Sequence, residues 1–107
     1  MATITRGLHD ELTEKVKKVL DEYEQRYSGA IANLYRQNPA SIRIRIVDKQ
    51  FVDWSKGKRH DHAWKFIADR LSEDDIQEIS VLLLLTPDEQ QSSLMNFEFD
   101  DPLPSHL

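Results

Sequence analysis

The residues of this chain that look most like chemistry are His60-Asp61-His62. Two imidazoles flanking a carboxylate could bind a metal or pass a proton. On a helix, however, residues two apart point to different sides, so the pair cannot chelate one ion together. His60 shares a helical face with Trp64, which predicts packing at the core edge. The chain has no cysteine, which removes a thiolate nucleophile, a Cys-ligated zinc site and a disulfide framework. There is no glycine-rich phosphate loop and no Ser–His–Asp pattern. The carboxylates fall at predicted helix starts and on solvated faces. The expectation is a non-enzymatic protein without a cofactor or a bound metal.

Charge offers a second kind of site. The net charge is −5. Yet between Arg36 and Arg70 nine Lys or Arg stand against four Asp, while the remainder holds five basic and fifteen acidic residues. A basic middle between acidic ends suits an acidic protein partner or a nucleic acid. Arg43, Arg45, Lys56, Lys58, Arg59, His60 and Lys65 are the candidate contacts. Overall acidity works against phosphate binding. The alternative is that these cations only solvate the outer faces.

Near the C-terminus, Phe97 and Phe99 flank Glu98 and precede Asp100-Asp101. Two aromatics at this spacing can join a sheet edge, fill a partner's groove, or cover the domain's own sheet. The tail's acids could also shield the chain's own Lys/Arg face until a partner displaces them.

The elements that position these residues follow from periodicity. Leu8, Leu12, Val16, Val19, Leu20, Tyr23 and Tyr27 recur every three or four positions and predict a long amphipathic helix over residues 8–28, with Gly29 as its stop. A short, irregular strand over residues 30–36 and the turn at Asn38-Pro39 lead into residues 41–48. There Ile42, Ile44 and Ile46 alternate with Arg43 and Arg45. Phe51 and Trp54 should fold back onto the core. Ser55 is a candidate N-cap, although Gly57 would weaken the first turn and move the regular helix towards Arg59. Ala63, Trp64, Ile67 and Leu71 mark that helix's apolar face.

Ser72 with three following acids predicts a short turn and cap. Ile79-Ser-Val-Leu-Leu-Leu-Leu is apolar on both faces, the pattern of a buried rather than an edge strand. It should lie parallel to residues 41–48, because the crossover between them is helical. Thr86-Pro87-Asp88-Glu89 signals a last short helix reaching about Met95.

The expected fold is α+β, an α/β sandwich. A three-stranded mixed sheet carries helices on one face, in the order α-β-β-α-β-α. One domain spans residues 1–95, and residues 96–107 form an acidic, aromatic tail. No run of apolar residues is long enough to span a membrane. The N-terminal residues lack the hydrophobic core of a secretory signal, so a cytoplasmic location is expected.

This order resembles the BolA-like domain, a relative of the type II KH fold. Ser41-Ile-Arg-Ile-Arg-Ile-Val-Asp-Lys-Gln-Phe51 is similar to the family's central strand. From Phe51 the family pattern has Gly two residues on, Ser four on, and Arg-His eight and nine on. Ser55, Arg59 and His60 stand in the last three places, and Asp53 replaces the glycine. Leu82 to Leu85 with Thr86-Pro87-Asp88-Glu89 is similar to the family's last strand and its Thr-Pro-x-Glu end. The resemblance covers residues 41–90.

It implies a protein partner, of the monothiol glutaredoxin type in this family, and a role in holding or passing on an iron–sulfur cluster. The family's histidine at the start of the last strand is here Glu78, and the hairpin loop has neither His nor Cys. Asp61 stands where the family has an arginine. These departures weaken the cluster role. The KH relationship implies a nucleic-acid alternative, but Ser55-Lys56-Gly57-Lys58 has one glycine where a KH clamp has two. The resulting expectation is an adaptor that binds a protein through its basic helix-turn-helix face, with nucleic-acid binding as the alternative and a homodimer allowed.

Overall fold

The computed structural model describes residues 1–101. The alternating isoleucines form the centre of the sheet. Strand β2 (Ile31–Asn38) and strand β3 (Ser41–Val47) make an antiparallel hairpin around Pro39, with Leu34 opposite Ile44 and Ala32 opposite Ile46. Ile42, Ile44 and Ile46 are fully buried under helix α1 (Glu11–Arg26) and helix α2 (Lys56–Ala68). Strand β4 (Ile79–Leu85) lies parallel to β3, as the helical crossover requires. Phe51, in a 3-10 turn, is buried and Trp54 packs on the core. Among the described residues, no helix is long and apolar enough to cross a membrane.

Several local expectations hold. Gly29 follows α1 with φ +97°. Ser72 caps a single turn, α3 (Glu73–Ile76), and Thr86 caps α4 (Pro87–Gln90) in a reciprocal capping box with Glu89, although that helix ends at Gln90 rather than near Met95 and Ser93 caps a further one.

Other expectations are corrected. Among the described residues the sheet has four strands, in the order β1-β2-β3-β4, not three. Strand β1 (Thr3–Arg6) runs parallel to β2 and carries little hydrophobic signal. It is pinned instead by polar contacts to α1: the Met1 amino group lies 2.9 Å from Glu24, and the Ala2 N–H donates to Asp21 at 2.6 Å. Helix α1 starts at an Asp10 capping box rather than at Leu8, which is exposed. Helix α2 begins at Lys56 in spite of Gly57, because the Ser55 hydroxyl accepts from the Lys58 N–H.

Helices do not cover one face alone. Helix α5 (Leu94–Asp100) follows α4 and lies on the face opposite α1 and α2, where Phe99 meets Tyr35 at 4.8 Å. The expected division after residue 95 falls inside α5, so residues 96–100 belong to the packed domain. Residues 102–107 of the expected tail lie outside the described residues.

Strand β4 is an edge strand, not a central one. Its leucines look central because helices pack on both faces, although Leu82 and Leu83 stay partly open at the edge. Leu82 and Leu84 sit beside Ile44 and Ile46 on the α1/α2 side, and Leu83 and Leu85 sit beside Arg45 and Val47 on the α5 side. Hydropathy reports faces, and it is silent about edges.

Candidate functional site

The open edge of β4 is the floor of a cleft of about 590 Å³. Lys56, Gly57 and His60 of α2 wall it on one side of the sheet, and Ser92, Ser93 and Met95 wall it on the other. Leu82 to Leu85 line its base. The cleft is apolar below and cationic at the α2 rim.

Arg59 closes one end. Its side chain is buried, and Nη1 donates to the Leu84 carbonyl at 3.1 Å and to Glu89 Oε1 at 2.6 Å. Nη2 donates to Glu89 Oε2 at 3.2 Å, making a two-pronged pair. The Arg59 guanidinium and the Thr86 N–H of the capping box hold the Glu89 carboxyl below the usual carboxylate range. Arg59 is therefore a structural plug that covers an edge carbonyl, not a free surface cation.

The seven expected contact residues do not form one face. Lys56, Arg59 and His60 line the cleft. Lys58 does not line it, and its Nζ lies 4.3 Å from the centre of the Trp54 ring. Lys65 is exposed and borders a separate depression with Tyr27 and His62. Arg43 and Arg45 lie on the opposite face of the sheet under α5. Arg43 Nη1 donates to Glu98 at 2.7 Å, and Arg45 Nη1 donates to Asn96 and Asp100 at 2.8 and 2.7 Å. These two arginines, expected on a wet face, are occupied by the chain's own acids.

The aromatic tail pair is also divided. Phe99 is buried against Tyr35, and Phe97 is half exposed. Leu94 and Met95 are exposed as well, so α5 turns polar residues and Phe99 inward and three large apolar residues outward. This inverted arrangement continues the apolar floor of the cleft around Met95. The signal was present in the sequence as Leu94-Met95 beside Phe97, but without α5's orientation it cannot be told from core.

The two histidines separate as helix geometry requires. His60 is exposed and stacks on Trp64, with centroids 5.9 Å apart, so it does not pack into the core edge as expected. His62 is the inward one: Nε2 lies 3.0 Å from the Tyr23 hydroxyl, among Tyr27, Trp54 and Phe51. Burial lowers the His62 pKa and raises that of Tyr23.

Glu78, standing where the BolA-like pattern has histidine, accepts from Arg36 Nη1 at 3.0 Å. Arg36 also pairs with Asp10 at 2.6 Å, so Glu78 is part of a structural ion network. Among the described residues, no group of three or more His, Cys, Asp or Glu is placed to hold a metal. Comparison of the chain with protein-family models, with curated proteins and with solved structures finds no match.

Proposed function

We propose that this chain is a non-catalytic interaction module that receives another protein where the start of α2 meets β4. The observation that carries the proposal is an apolar strand that no strand among the described residues pairs on its outer edge, under a rim bearing Lys56 and His60. The cleft exposes part of Leu82 and Leu83 beside the exposed Met95, and an apolar edge of this kind is better covered than left to water. The resemblance of residues 41–90 to the BolA-like domain supports the same reading, and a glutaredoxin-type partner is the one it implies. Arg43 and Arg45 are committed to Glu98 and Asp100, which favours a protein partner over a phosphate backbone.

The test is a photo-cross-linking residue placed at Met95 in the native host, with a second placed at Lys18 on the exposed side of α1 as control. A discrete protein adduct from position 95 is expected, absent from position 18 and lost on Lys56→Glu with His60→Glu. Adducts that are equal at both positions, absent from both, or made of nucleic acid would overturn the reading.

A further inference from the structure

The geometry of the cleft points to how the partner is held. We propose that an extended segment adds to β4 as a fifth strand, with carboxylate side chains alternating with apolar ones. This rests on the protein-binding reading above and specifies its ligand.

The backbone directions support strand addition. The Leu85 carbonyl accepts from the Asp48 N–H at 2.9 Å, so it faces β3. Carbonyls alternate along a strand, and the Leu84 carbonyl accordingly faces the open side, where Arg59 takes it. Leu82, two residues earlier in an unbroken register, turns its N–H and C=O to that same side. Among the described residues, no side chain hydrogen-bonds to Leu82. An arriving strand about 4.8 Å away would pair with it directly, and the Arg59 plug would set where that pairing stops.

The walls select the occupant. The cleft is bounded on both sheet faces, by α2 and by the link from α4 into α5. Side chains of the added strand alternate between the two walls. Those facing α2 meet Lys56 and His60. Lys56 makes no ion pair among the described residues, and the cleft's acid, Glu89, is committed to Arg59. Carboxylates fit there. Those facing the other way meet Leu83 and Met95 and should be apolar.

The experiment is selection of random peptides of about nine residues on the full-length chain, followed by N-methylation of each amide of a synthesised binder. Enrichment of acid–apolar alternation is expected. N-methylation should weaken binding about tenfold at the amide that meets the Leu82 carbonyl and about twofold or less at the others. Leu82→Pro removes an N–H that β3 does not use and should cost about tenfold in affinity with the fold retained. If that variant fails to fold, Lys56→Glu serves instead, with an expected loss of about fivefold that shrinks at high salt.

Binders that are helical when bound, or that tolerate N-methylation at every amide, would overturn strand addition and leave the module reading intact. No enriched peptide together with a persistent cross-link at position 95 would do the same. Loss of both would overturn both.

Discussion

Arg45 lays its guanidinium over the Phe99 ring, 4.7 Å from the centroid, while Nη1 holds Asn96 and Asp100 and Nη2 holds Asn33. One arginine thus joins β2, β3 and α5. It explains why α5 docks with its polar side down. The arginine side chain is itself buried and needs oxygen partners, and α5 supplies them. Leu94, Met95 and Phe97 are turned outward as the consequence.

Phe99 is the apolar anchor of that contact. Phe99→Ala should destabilise the protein by about 3 kcal/mol, read from urea unfolding, since a buried aromatic is lost against Tyr35 and Arg45. Phe97→Ala should change stability by less than about 0.5 kcal/mol. Equal effects at the two positions would contradict the packing described.

The ionic part of the contact responds to salt. Glu98 and Asp100 are both reachable by water, so each surface pair contributes at most about 1 kcal/mol. Raising salt to about 1 M, where screening acts over ~3 Å, should speed amide exchange in α5 while leaving β3 protected. Glu98→Gln should reproduce part of that change at low salt.

The phase of α2 shows where sequence reading reached its limit. Ala63 and Ile67 mark the buried side in both sequence and structure, but the full inner face is Arg59, Ala63, Phe66 and Ile67. A buried arginine does not announce itself as apolar, so the apolar spacing runs through Trp64 and points His60 inward, where the structure instead places His62. The central hairpin and the parallel crossover were legible because isoleucine alternation and a helical connection each have one geometric outcome. Strand β1 was not, since polar contacts from Met1 and Ala2 hold it. The binding edge was hidden because leucines covered on both faces look the same whether or not a strand lies beside them.

Two glycines of opposite worth give a backbone test. Gly7 has φ +79°, and a Cβ there would meet the Arg36 carbonyl at 2.6 Å. Gly7→Ala should therefore destabilise by about 2 kcal/mol or more. Gly57 lies in the first turn of α2 with open space around it. Gly57→Ala should stabilise by about 0.5 to 1 kcal/mol through helix propensity. Thermal unfolding of both variants checks the pair.

Glu89 secures the Arg59 plug. Glu89→Ala would leave a buried guanidinium with only the Leu84 carbonyl and also break the Thr86 capping box. Because water reaches Glu89, the expected loss is about 2 kcal/mol, below that of a fully buried pair. Unfolding measurements on Glu89→Ala and Glu89→Gln should rank Gln as the milder change, since its oxygen can still accept.

Acid should lower the protein's stability in two stages. Burial holds His62 neutral below its ordinary pKa near 6.5, against the opposing pull of Asp48 and with a smaller push from Lys58. Below about pH 6.5 the unfolded chain takes up this proton before the folded chain does, so stability falls with pH until folded His62 also protonates. Asp10, held down by the Thr13 N–H and by Arg36, and Glu89, held down by Arg59, act at lower pH. Their contribution is present above the ordinary carboxylate pKa of about 4 and is lost as pH falls through their folded values. His62→Gln keeps a partner for the Tyr23 hydroxyl and cannot titrate. In urea unfolding followed from about pH 7.5 to 3.5, it should abolish the upper stage and leave the lower one. An upper stage that persists in His62→Gln would assign it to another group.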